Sequence, residues 1–153
     1  MINYEEIKQH IRDAEGYSAT PYKLTYTFTK GSGLEVEVQE DFWTVGHGLN
    51  IGKEKRKFTA SELEDMFEDA FEKCVKGCDE ILDGSEQPQA VHFVLISMIY
   101  NMGLSGTKLF KNMIQCIKDG RYPDASNELK DSKYYNQLTS RVQHYVDMLE
   151  VCR

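Results

Sequence analysis

The chain has 153 residues, 41% of them hydrophobic, and a net charge of -7. That length supports one compact domain with a real core, or two small lobes sharing a helix, and it excludes a repeat array. The acidic balance argues against nucleic acid, whose binding is dominated by cationic contacts to phosphate, and it suits an anionic polymer substrate only if the local charge of the site differs from the total.

Met1-Ile2-Asn3-Tyr4-Glu5-Glu6 has no basic region followed by an apolar run, so no signal peptide is expected, and the chain is read as folding in a cytoplasm with its four cysteines as thiols. No apolar stretch reads as long enough to span a bilayer. Tyr4, Ile7, Ile11 and Ala14 recur at helical spacing and Gly16 is a stop signal, which puts Glu15 at a helix C-terminus. That end carries partial negative charge and disfavours an added anion, the bias that a general acid needs.

Next, Tyr22, Leu24, Tyr26 and Phe28 alternate with polar residues, as do Leu34, Val36 and Val38, which predicts a hairpin around Lys30-Gly31-Ser32-Gly33. A third strand is predicted from about Phe42 to Gly48, carrying Thr44 ahead of Gly46 and Gly48. Glycines at strand alternation mark a close approach to the backbone, as a substrate would make.

Thr59-Ala60-Ser61-Glu62 is a capping box that opens a helix to about Leu82, with Leu63, Met66, Phe67, Ala70, Phe71, Cys74, Cys78 and Ile81 on one stripe. Cys74 and Cys78 could be metal ligands, but on that stripe they read as core thiols, and no metal or cofactor is expected. Pro88 opens a segment from Ala90 to Met102 that is apolar nearly all round, a buried central helix; His92 at its start has no matching ligands and reads as a surface or hydrogen-bonded histidine. Further helices are predicted around Leu109 to Ile117, Pro123 to Lys130 and Ser140 to Leu149.

Four motifs then stand in order: Glu15-Gly16, Thr44-Val45-Gly46-His47-Gly48, Asn101-Met102-Gly103, and Tyr135-Asn136-Gln137 with Arg141 following. With them the chain resembles the phage-type lysozymes, the muramidases of glycoside hydrolase family 24. The resemblance implies a mostly helical α+β, lysozyme-like domain over residues 1–153. It would have a small lobe with a β-hairpin sheet at about 15–58, a linking helix at about 59–82, and a helical lobe at about 83–153 joined by the N-terminal helix. It also implies a monomer that hydrolyses the glycan strands of bacterial peptidoglycan, either as an endolysin released from the host cytoplasm or as a lytic part of a virion tail.

By the same resemblance Glu15 is the general acid and Thr44 positions the attacking water. Asn50 lines the sugar site, Tyr100-Asn101 contact sugar from the helical side, and Arg141 pairs with the acid. Aromatic faces and amides suit the apolar faces and hydroxyls of saccharides in any case.

Two positions depart from the family. An aspartate expected nine residues after the acid is Leu24 here, so a replacement carboxylate is sought among Glu37, Glu40 and Asp41. Glu40 has the phase of Thr44 in a regular strand, and a bulge would favour Asp41 instead. His47 stands between the glycines where the family has an apolar or aromatic residue, and it reads as packing on the strand's other face. A catalytically weakened module that only binds wall sugar, or serves a virion structurally, is the alternative reading.

Overall fold

The computed structural model describes residues 1–153, the side chain of Phe28 excepted. Helix α1 (Tyr4–Glu15) buries Ile7 and Ile11 and begins where the Asn3 side chain accepts the Glu6 N–H at 3.2 Å. It ends where expected. Gly16 adopts φ 68° and donates its N–H to the Arg12 carbonyl at 3.0 Å, a left-handed closure that a residue with Cβ resists.

Five short strands follow: β1 (Ser18–Tyr22), β2 (Thr25–Thr29), β3 (Glu35–Gln39), β4 (Trp43–Gly46) and β5 (Leu49–Gly52). They form two sheets, a three-stranded one ordered β1-β4-β5 and the two-stranded β2-β3 hairpin. The hairpin pairs from Thr25 opposite Gln39 to Thr29 opposite Glu35. Its first strand is shorter than the alternation implied, because Tyr22 lies instead in β1, opposite Thr44. The strand predicted through Gly48 stops at Gly46, where the chain reverses through His47 and Gly48 into β5.

Helix α2 (Ala60–Leu82) opens with the capping box in full: the Glu62 N–H donates to Thr59 Oγ1 at 3.1 Å and the Thr59 N–H to Glu62 Oε1 at 3.0 Å. Thr59→Ala is expected to cost about 1 kcal/mol, seen as a lower denaturation midpoint at unchanged m-value. Along the stripe, Leu63, Phe67, Phe71, Cys74, Cys78 and Ile81 are buried. Burial pushes the Cys74 thiol up to about 11 and, with Asp79 beside it, the Cys78 thiol up to about 12. These are packing groups rather than nucleophiles.

Helix α3 (Gln89–Lys108) buries Val91 and the whole run Phe93–Ile99. By length and composition alone it is apolar enough to cross a membrane, and half of that window is buried inside the fold, as a core helix of this kind can be. The extra length comes from beyond Met102, where Gly103 breaks the helix at φ 85°, ψ 164° and Thr107 Oγ1 donates to its carbonyl at 2.9 Å. Helices α4 (Lys111–Lys118), α5 (Tyr122–Lys130), α6 (Lys133–Gln137) and α7 (Thr139–Glu150) complete the chain. Val142, Tyr145, Val146 and Leu149 of α7 face inward, and Ser126 Oγ of α5 donates to the Val146 carbonyl at 3.1 Å.

The chain divides into two compact units, Arg12–Asp69 and Met1–Ile11 with Ala70–Arg153, so the boundary falls within α1 and α2. In the larger unit α2 and α3 approach closely at Gly77, where an added Cβ would stand 3.2 Å from Leu104 and 3.3 Å from Ile99. His10 and Tyr145 are joined there by a 2.8 Å hydrogen bond beside the Phe93 ring.

Candidate active site

The residues that could carry chemistry in the Arg12–Asp69 unit gather around the end of α1. Arg12, one turn before Glu15, stacks its guanidinium 4.6 Å from the centroid of the Phe67 ring. The same group pairs with Glu64 at 2.5 Å and Glu68 at 3.5 Å, both on the first turns of α2. A planar guanidinium suits this combination of stacking and forked pairing, and it fixes the direction in which α1 ends.

From the other side the β4-β5 turn closes on the same helix end. His47 Nδ1 lies 2.6 Å from the Gly16 carbonyl, so that nitrogen carries the proton and donates. Its ring centroid is 5.0 Å from that of Tyr17 and 5.5 Å from that of Phe67. His47 is therefore a clasp on the turn, not a residue of the strand's other face, because β4 ends before it.

Gly48 then lies directly against the acid. A Cβ built there would stand 2.8 Å from Glu15 Oε2, 3.4 Å from its Cδ and 3.5 Å from its Cβ, and Gly48 has φ 73°. Only a glycine satisfies both the backbone conformation and the close approach. The half-buried carboxylate is thus seated on bare backbone at the tip of the β4-β5 turn.

Thr44 sits on the central strand of the small sheet, with Tyr22 opposite it on β1 and Asn50 opposite it on β5. Residues directly opposite in an antiparallel pair share a face. Asn50 thus lies opposite Thr44 across the ladder and not along one strand, because the chain reverses between β4 and β5. Thr44 is buried, Asn50 is exposed, and Asn50 Oδ1 accepts the Gly52 N–H at 2.8 Å, which fixes the amide.

The three candidate carboxylates of the hairpin separate clearly. Glu37 is exposed on β3 opposite Thr27, and Asp41 is exposed on the bend after β3. Glu40 is half-buried. The phase linking Glu40 to Thr44 does not exist, because β3 ends at Gln39 and the chain bends into a different sheet before Trp43.

Tyr100, Asn101 and Arg141 belong to the other unit. Tyr100 and Arg141 are half-buried, on α3 and α7, and Asn101 is exposed just before the Gly103 break. Among the described residues no group of three or more His, Cys, Asp or Glu is arranged to hold a metal ion.

The phage lysozyme family matches residues 12–144. The chain belongs to that family. It is also similar to two proteins of Dictyostelium discoideum, probable T4-type lysozyme 1 and probable T4-type lysozyme 2, each 22% identical over 162 residues that span 98% of this chain and 91% of the relative. Membership of the phage lysozyme family supports a muramidase-like glycosidase function and implies peptidoglycan as substrate. The matched range takes in every candidate position from Glu15 to Arg141. Arg12, His47 and Gly48 were absent from the sequence-based set of site residues; the Gly-His-Gly spacing was the available signal, read as strand instead of turn.

Proposed function

We propose that this lysozyme-family chain is a muramidase that cleaves the glycosidic bonds of bacterial peptidoglycan, with Glu15 as general acid and Thr44 positioning the attacking water. The observation that carries the reading is the Gly48 contact: a carboxylate lies against a backbone position that has been kept clear of Cβ. The missing Cβ leaves room for the carboxylate at this position, and positioning of a catalytic group is where a barrier is lowered. Arg12 and His47 fix the helix end and the turn that meet there.

Asn50 serves as a sugar contact from the small sheet, and Tyr100, Asn101 and Arg141 serve as substrate-side groups of the helical unit, on the strength of the family positions they occupy. The setting would be lysis of a host wall or its penetration from a virion, with the protein acting as a monomer.

Release of reducing ends from purified peptidoglycan is the direct test. Steady release by the native chain supports hydrolysis; tight wall binding with no release would leave a sugar-binding module in its place. Thr44→Val keeps the β-branched shape and removes the hydroxyl. We expect it to lower turnover about 100-fold with little loss of stability. Unchanged turnover in the valine variant, on the same substrate, would remove Thr44 from the mechanism.

A further inference from the structure

Hydrolysis of a glycosidic bond with inversion needs a second group besides the acid, one that holds and deprotonates water on the opposite face of the sugar. We propose that Glu40 is that group, an inference that rests on the reading of Glu15 as the acid. Among the described residues Glu40 has a feature no other carboxylate shows: its Oε2 is buried and accepts no hydrogen bond from the protein. Carboxylate oxygens are strong acceptors, and leaving one out of bulk solvent without a donor destabilises a fold. An acceptor kept in that state in a native fold calls for an explanation, and use in catalysis is one that chemistry supplies.

Its placement fits the same role. The Glu40 N–H donates to the Leu24 carbonyl at 2.8 Å, adding one pair to the hairpin beyond Thr25 and Gln39. Residues 24 and 40 thereby become neighbours on one face at the hairpin's base. Two residues before Leu24 the chain leaves β1 at Tyr22, the residue opposite Thr44, so the hairpin that carries Glu40 follows in sequence directly on the strand paired with the proposed water-positioning residue. Glu37 and Asp41 are both exposed and neither has such an oxygen. Leu24, exposed beside Glu40, carries no acid of its own, and the carboxylate comes from the facing strand.

The step balances without another reactant. The water oxygen attacks the anomeric carbon as the bond to the leaving oxygen breaks. Glu15 gives its proton to that oxygen, Glu40 takes one from the water, and exchange with solvent restores both groups.

The test uses the full chain on purified peptidoglycan, at a temperature where circular dichroism shows each variant folded. Glu40→Gln is expected to lower kcat by 100-fold or more, whereas Glu37→Gln and Asp41→Asn stay within about twofold. Adding Leu24→Asp to the Glu40→Gln variant returns a carboxylate to the neighbouring backbone position and should recover at least tenfold. A merely structural role for Glu40 predicts no such recovery. The proposal is overturned if Glu40→Gln keeps turnover within twofold, or if the double variant is no faster than the single one. Failure of the underlying reading looks different: the native chain then releases no reducing ends, or Glu15→Gln retains full turnover, whatever Glu40 does.

Discussion

Glu15→Gln is expected to reduce turnover on purified peptidoglycan by about 100- to 10,000-fold while leaving the melting temperature close to that of the native chain. The amide matches the carboxyl in shape, so the contact with Gly48 and the end of α1 are kept. What is lost is the proton for the leaving oxygen. Arg12 and His47 hold the helix end through groups other than the Glu15 side chain, so the turn against which it lies should survive the substitution. Native-like turnover by the glutamine variant would remove Glu15 from the role of acid. A parallel loss of folding and turnover would show that the side chain acts in stability instead.

The helix that carries Glu15 was legible because two strong local signals agree there, an apolar repeat and a glycine just past the end. The capping box at Thr59 and the apolar run at Val91 to Ile99 were legible for the same reason, each being a local pattern with one physical solution. The small sheet was not. Strand β1 reads Ser-Ala-Thr-Pro-Tyr, with no alternation and a proline that cannot donate; it is tolerated because β1 lies at the edge of the sheet. Strand β5 has four residues ending in glycine, and α6 has five, both too short to show a period.

The larger misreading was at Gly46-His47-Gly48. Two glycines at strand alternation look like a strand continuing, whereas φ values of 61° and 73° make them the corners of a reversal. Reading the turn as strand puts His47 on a strand and Asn50 further along the same strand as Thr44, whereas Asn50 lies opposite Thr44 on β5. Glu40 loses the phase of Thr44 through a similar cause, a bend between two sheets that no residue pattern announces. What distinguishes Glu40 from Glu37 and Asp41 is invisible in sequence, the surroundings of one oxygen.

The turn offers the sharpest separation of activity from stability. In Gly48→Ala the new Cβ would stand 2.8 Å from Glu15 Oε2, inside any real contact, and the backbone would keep a φ of 73° that alanine disfavours. The backbone part costs about 1–2 kcal/mol. The clash itself is relieved cheaply, since the atom in the way is the end of a flexible side chain, but relief means that the carboxylate moves. A displacement of about 1 Å in a catalytic group can cost about 100-fold in rate. Turnover should therefore fall about 100-fold for a loss of stability of only about 1–2 kcal/mol. Gly33→Ala supplies the control: that residue has φ 86° with nothing within 4 Å of an added Cβ. It carries the backbone penalty without the displacement, and should lose comparable stability with turnover near native. If the two alanine variants lose activity equally, or Gly48→Ala keeps native turnover, the position of the Glu15 carboxylate against the turn is not what sets the rate.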